Sequence, residues 1–515
     1  MAMNATARLS KIWIYRASFV AFLFLFLRFF LLPCTPVAQL ADQLLFFSRG
    51  LHVVNGAVMY RDFFEMVPPG NNLLDAALLK VFGIHAWVIP AGDVAVGTGF
   101  FLIITLSAAE ILEASTALLP GMLFLAFVFS SAEDITHHWY STLAAQAAVY
   151  VLIRGRSITR LVMAGLLCAL SVLFTQTQGA FAFAAIVVYL VWAGHKEGRE
   201  NLFRSLIAFV LPFTALTGAV LGYYVVRAGW STLYFDLVTF PAQILTLVDG
   251  NSPRTYLHQF IAIHGAADLL RAVPFIFVYA IVPYAYFAGA YRLWKDKHKL
   301  SDTTWDQILL LHLAGFGIFL GVIAGPRFFR LCTISPSAVI VAVWLIRGQM
   351  HWAKIVRRAA YGAATAFLLM LAIHRQLAWH RVLPLPTGRV AFTDRADAEE
   401  FEWMAARTHP GDSFANRTAL AFYLKLKTPT RVEFVSEGEF TRPEQTSEVV
   451  AWLQQNRPRY VVMQPLYSNY QPEHSHSEPY RQYVQAHYHL ARVFPLNRGA
   501  QPEQLWEFNE GISSR

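Results

Sequence analysis

Apolar stretches of about 20 residues recur along most of this chain, and inside a hydrocarbon core of about 30 Å only helices can satisfy the backbone of such stretches. They can be drawn at residues 13–32, 86–108, 114–131, 138–153, 158–174, 178–193, 203–226, 268–292, 305–324, 328–347 and 355–373, which makes about eleven spans. Composition points the same way: of 515 residues, 56% are hydrophobic, 15% aromatic and only 15% charged, too apolar for a soluble protein. The predicted fold class is a polytopic α-helical membrane protein. A net charge of +9 does not indicate nucleic acid as a partner, because the Lys and Arg residues sit in short loops between apolar runs. Cys34, Cys168 and Cys332 are scattered and build neither a disulfide framework nor a metal knuckle. Arg8, Lys11 and Arg16 precede an apolar run that reaches Leu32 without a small-residue cleavage site, so this run is read as a retained anchor.

The basic loops set the orientation. Arg154, Arg156 and Arg160, then His195, Lys196, Arg199 and Arg204, then residues 292–299 and 347–358 all fall on the N-terminal side. That side is predicted to be cytoplasmic, in an inner (plasma) membrane crossed many times. Alternation places outside the loop at 33–85, residues 133–138, 175–178, 227–267 and 325–330, and everything after His374. From residue 374 onward polar residues rise and no run is long enough to span. Helices are predicted at 397–406, 443–455 and 478–486, and strands at 431–435, 459–463, 490–494 and 505–508. The chain thus reads as a transmembrane domain over 1–373 and a small periplasmic α/β domain over 374–515.

The first external loop carries more chemistry than a connector needs. Leu44, Leu45, Phe47, Leu51 and Val54 recur near the helical period, which predicts an amphipathic helix lying along the membrane surface with Asp42 as its N-cap. The segment Tyr60-Arg61-Asp62-Phe63-Phe64-Glu65 runs into Pro68-Pro69-Gly70, and a second helix is predicted over 73–82. Asp42 and Glu65 then face one membrane surface.

An Asp soon after the first span, G-x-x-x-Y-R-D-F, an acid just before P-P-G and a following L-L-K-x-F-G together resemble the polytopic, lipid-phosphosugar-dependent glycosyltransferases of the GT-C fold. The resemblance is strongest to the group of protein O-mannosyltransferases and lipid A aminoarabinose transferases (ArnT-like), glycosyltransferase family 39. It implies that Asp42 is the catalytic base and that Glu65 belongs to the same site. Gln43 replaces the usual Glu of the family's paired acids, and Leu45 and Met66 stand where aminoarabinose transferases carry basic phosphate ligands. Residues 448–463 and the Y-H-L-A-R-V-F stretch resemble the external domain of bacterial members.

Transfer of a sugar from a lipid phosphate needs a carboxylate to take the acceptor proton and a cationic or metal partner for the departing phosphate. The resemblance assigns the first role to Asp42. Glu65 would orient the acceptor or share a divalent cation with Asp42. It also suggests Asp134 as a further acid and Gln176 as a sugar contact. Arg327 and Arg330, in a segment resembling the family's G-R-x-F-P-H-Y, would hold the donor phosphate along with Arg61. Arg28 is read as snorkelling to headgroups, Asp93 as a structural hydrogen-bonding group, and His137, His138 and Trp139 as interfacial residues rather than metal ligands. The expected partners are a polyprenyl-phosphate sugar, an acceptor that is a lipid, glycan or protein, and membrane lipid. Two rivals remain open: a polysaccharide ligase or polymerase using diphosphate-linked oligosaccharides, and a transporter or flippase, which should show paired interrupted spans.

Overall fold

The computed structural model describes residues 9–247, 253–258, 266–346, 351–428, 432–435, 441–463, 475–495 and 502–509. Helix α1 (Lys11–Phe29) is followed by the short strands β1 (Phe30–Leu31) and β2 (Thr35–Pro36), then by α2 (Gln43–Val54) and α3 (Gly70–Phe82). Next come α4 (Val88–Ile111), α5 (Leu119–Phe127), α6 (His137–Ile153), α7 (Ile158–Phe174), α8 (Gln176–Glu197) and α9 (Arg199–Ala228). Helix α10 (Trp230–Tyr234), a π-helical turn (Phe235–Thr239) and α11 (Phe240–Leu247) precede α12 (Ala266–Ile276), α13 (Val282–Lys295), α14 (Asp302–Leu320), α15 (Phe328–Thr333), α16 (Ser335–Leu345) and α17 (His351–Leu377).

Among the described residues, 7 helices are long and apolar enough to cross a membrane. The remaining drawn spans fall on shorter helices, for three physical reasons. Leu119–Ser131 and Ile158–Phe174 are apolar but short. Helix α6 opens with His137 and His138 and carries Ser141, Thr142 and Gln146, which lower its hydropathy. The span drawn at 328–347 is broken at Ile334, after which Pro336 starts α16 with its missing N–H at a position that has no use for one. Trp139 anchors the interior of the bundle, with the rings of Phe100, Phe124 and Phe129 at 5.4, 6.1 and 5.3 Å.

Past α17 the chain forms the antiparallel hairpin of β3 (Arg381–Leu385) and β4 (Gly388–Phe392). It continues as α18 (Arg395–Ala405), β5 (Phe414–Ala415), α19 (Thr418–Leu424), α20 (Pro443–Asn456), β6 (Tyr460–Met463), α21 (Glu478–His487), β7 (Tyr488–Phe494) and β8 (Glu503–Phe508). The sheet order is β5-β6-β8-β7, with β5 parallel to β6 and the other pairs antiparallel. Of the strand expected at 431–435, residue 431 lies outside the described residues and 432–435 are not strand. The three predicted helices each appear within two residues of their expected bounds.

The α/β layer after α17, expected to be external, covers the loop at 33–85. Leu44 and Phe47 of α2 join one hydrophobic cluster with Leu383, Phe401, Leu420 and Phe422, and the Ala38 N–H donates to the Ala391 carbonyl at 2.9 Å. On its other side α2 meets α3 so closely that a Cβ on Gly50 would lie 2.9 Å from the Ala76 nitrogen. The sequence pattern had suggested that the apolar face of α2 lies against lipid. Instead, Gln43, Leu44, Phe46, Phe47, Ser48 and Gly50 are buried, because the external layer and α3 supply the apolar surface that the pattern demands.

Candidate active site

Helix α2 organises a polar centre beneath this external layer. Asp42 stands at its N-cap position, yet its side chain makes no capping bond. That job falls to Asp134, in the extended segment before α6, whose Oδ1 accepts from the Gln43 N–H at 2.9 Å and which also bonds the Asp42 N–H. Two carboxylates therefore share one helix start, where the exposed N–H dipoles favour negative charge. Burial first, and the neighbouring Asp42 charge second, push the Asp134 carboxyl up to about 7. Burial also raises Asp42, with Arg49 pulling against it. The Asp42 side chain is crowded by protein on most sides but still opens to solvent. Gln43, in place of the family's second acid, is buried and donates from Nε2 to Asp93 Oδ1 at 2.6 Å. Asp93 is completely buried, so this bond pins the first turn of α2 to α4.

Glu65 is the second sequence-predicted acid, and its environment is different. It has no exposed surface. Its Oε2 accepts from Arg49 Nη1 at 2.8 Å and Asn72 Nδ2 at 2.6 Å, and its Oε1 accepts from the Val67 N–H at 3.2 Å. Arg49 in turn donates from Nε to Glu433 Oε2 at 3.0 Å, tying α2 to the external layer. Burial raises Glu433 to about 7 against the pull of Arg49. These contacts leave Glu65 no accessible oxygen for a divalent cation shared with Asp42, so the donor set does not fit a metal there. Among the described residues no group of three or more His, Cys, Asp or Glu is placed to hold one.

The cationic side is built by α6 and α15. Arg330 lies within electrostatic reach of His137 and His138, and Arg49 also acts on His137. Arg330 Nη1 donates to the Gly325 carbonyl at 3.2 Å, and Arg327 occupies the N-cap position of α15 close to it. His137 Nδ1 is 2.8 Å from Thr175 Oγ1, and its ring meets Phe46 of α2 at 5.4 Å. The interfacial reading is corrected for Trp139, which is fully buried, while His137 and His138 are half-buried, with ring contacts to Phe46 and Phe329. Arg28 is corrected as well. It pairs with Glu133, whose other oxygen is 3.3 Å from Arg375 Nη2, so it ties α1 to α17 rather than reaching for headgroups.

Two other expected substrate contacts lie elsewhere. Gln176 Nε2 donates to the backbone carbonyls of Met66 and Leu237 at 3.3 and 3.4 Å, holding the first loop to the π-helical turn. Arg61 forks onto Asp62 at 2.8 and 2.7 Å and lines a separate cavity with Asp236 and Arg442. The structure thus brings Asp42, Asp134 and Arg49 together at α2, sets Arg330 beside His137 and His138, and keeps Arg61 apart. Arg49 was missed in the sequence, although it stands seven residues beyond Asp42, two turns along the same face of α2. Nothing local in the sequence marks Glu433.

The helical bundle, with an α/β layer closing over the loop at 33–85, has the GT-C fold. A solved structure that shares this fold over almost its whole length is ArnT from Cupriavidus metallidurans bound to undecaprenyl phosphate. It is 12% identical with a TM-score of 0.60, covering 98% of this chain and 99% of that one. Also similar are the archaeal oligosaccharyltransferase AglB from Archaeoglobus fulgidus, in complex with an inhibitory peptide and a dolichol-phosphate (13% identity, TM-score 0.49, 88% of this chain and 69% of that one), and the arabinofuranosyltransferase AftD from Mycobacteria (12%, 0.47, 99% and 40%). No protein-family model matches the sequence, and no curated protein matches it.

Proposed function

We propose that this protein is an inverting membrane glycosyltransferase that moves a sugar from a polyprenyl-phosphate donor to an acceptor hydroxyl at the periplasmic face, with Asp42 as general base. The observation that carries the reading is the Asp42–Asp134 pair at the start of α2, on a fold shared with an ArnT solved with undecaprenyl phosphate. Asp134 is engaged by backbone donors, which leaves Asp42 as the open carboxylate. Burial raises the proton affinity of Asp42 against the pull of Arg49, and a base with a pKa nearer the working pH takes a hydroxyl proton more readily.

In the proposed step the acceptor oxygen attacks the anomeric carbon while its proton passes to Asp42. The bond from that carbon to the phosphate oxygen breaks, and its electron pair leaves with the phosphate. One in-line displacement inverts the anomeric centre. Arg330 and Arg327 supply the positive charge for the departing phosphate, and their planar forks suit its oxygens. Gln43, Asp93 and Asp134 position the base, and the Arg49–Glu65–Glu433 bridge holds α2 beneath the external layer. A polyprenyl tail can stay in the bilayer while its phosphosugar reaches a carboxylate at the surface. The test is incubation of purified protein with a panel of radiolabelled polyprenyl-phosphate sugars and a membrane extract as acceptor source, resolved by thin-layer chromatography. Label should leave the lipid-phosphate spot; a label that stays there across the panel sinks the reading.

A further inference from the structure

Beyond the Arg49–Glu65 pair lies a cavity of about 420 Å³ between the first external loop, the π-helical turn and the start of α20. That volume is within the range of about 300–1,000 Å³ usual for small-molecule sites. It shares no lining residue with the Arg327–Arg330 cluster, and it connects to Asp42 through Glu65 and Arg49. Its floor is Asp236, only 2% exposed. One side of this carboxylate is fixed by the backbone N–H of Glu65, while Oδ2 is buried without a hydrogen-bond partner. Facing it is Arg442, whose Nε is also buried without a partner. The Arg442 guanidinium is held in place from the side, 4.6 Å from the Phe64 ring centre and 5.5 Å from that of Phe235. The wide π-helical turn Phe235–Thr239 puts Asp236 there, a backbone form found mostly at functional sites.

We infer that this cavity is an acceptor-side subsite for a neutral glycosyl unit, an inference that deepens the transferase reading and rests on it. The chemistry selects the ligand class. A carboxylate oxygen and a guanidinium nitrogen, each without a hydrogen-bond partner on two oppositely charged residues lining one space, suit neighbouring hydroxyls that donate to one and accept from the other. Phe64 and Phe235, over which Arg442 lies, line the same cavity and set apolar surface beside the polar pair. An anionic headgroup is disfavoured: Arg61 is neutralised by Asp62, and Asp236, Glu444 and Glu448 outnumber Arg442. The donor phosphate needs the opposite balance, which lies at Arg327 and Arg330. The unit bound beside Asp236 therefore belongs to the acceptor.

The experiment is saturation-transfer NMR on the full chain in nanodiscs, using methyl glycosides and short neutral oligosaccharides as probes. Wild type should transfer saturation to some of them, and Asp236→Asn should weaken that binding about tenfold, the scale of one lost hydrogen bond. Arg442→Gln provides a second variant should Asp236→Asn fail to fold, and the melting temperature reports folding for both. Affinity for a radiolabelled polyprenyl-phosphate sugar should be equal in wild type and Asp236→Asn. Absence of transfer to every neutral probe, or equal transfer in wild type and both variants, overturns the subsite. Loss of donor affinity in Asp236→Asn overturns its acceptor-side assignment. Because saccharide binding is read without donor, failure of the subsite is distinct from failure of the transferase reading, which would appear as no label leaving the lipid phosphate.

Discussion

Replacing Asp42 with Asn separates catalysis from structure cleanly, because the structure shows what the side chain does not do. It makes no capping bond at α2; the Gln43 N–H is satisfied by Asp134 instead. A working N-cap would cost about 1 kcal/mol on removal, but here the expected change in stability is within about 0.5 kcal/mol, because the substitution keeps the size of the side chain and breaks no capping bond. The rate should behave otherwise. Losing a general base costs a factor of about 10² to 10⁴, or about 3 to 5 kcal/mol of barrier. The assay is single-turnover release of label from the polyprenyl-phosphate sugar, with melting temperature measured on the same preparation. Asp134→Asn gives the companion result. An Asn amide oxygen can still accept from the Gln43 N–H, so helix α2 should keep its start and most of the maximal rate should remain. If Asp42→Asn, extracted at wild-type yield, transfers at the wild-type rate, Asp42 is not the base.

Four further outcomes are expected. Arg49→Met leaves Glu65 and Glu433 buried without their cation and should cost about 3 to 5 kcal/mol in stability, read as a large fall in melting temperature. Arg327→Ala should weaken donor binding with Lys rescuing only in part, whereas Arg28→Ala, which breaks the pair with Glu133, should lower melting temperature and leave donor affinity unchanged. Asp134, Asp236 and Glu433 have folded pKa values raised to about 7. Between their ordinary values and 7 the folded state binds more protons than the unfolded one, so melting temperature should fall as pH rises from 5 to 8, and Glu433→Gln should flatten that slope. Reporter fusions after His374 should score as periplasmic and those after Arg156 and Lys297 as cytoplasmic; a cytoplasmic score at His374 would reverse the orientation and remove the catalytic reading with it.

What the sequence discloses follows from the range of each interaction. Long apolar runs are local, so the helices of the bundle were legible, with trouble only where polar groups interrupt a helix, as in α6, or where Pro336 restarts one. The acids of the first loop were singled out by the family resemblance, Asp42 by its place after the first span and Glu65 by its place before P-P-G, but the different surroundings of the two were not legible. Asp42 and Glu65 look alike in sequence, and only the fold places Glu65 between Arg49 and Asn72 while leaving Asp42 open. The period of α2 correctly demanded an apolar partner and could not say whether that partner was lipid or protein; residues more than 330 positions away, Leu383 and Phe422 among them, supply it. The same distance explains why Glu433 and Arg442 went unseen. Each acquires a role only when the external layer closes over α2 and the π-helical turn, and that closure is itself a functional statement. A layer that places Glu433 on Arg49 and Arg442 beside Asp236 couples its own docking to the position of α2 on one side and to the cavity lined by Asp236 on the other. Filling that cavity should therefore stiffen the helix that carries Asp42, because both are fixed through Glu65, whose side chain holds Arg49 and whose backbone holds Asp236.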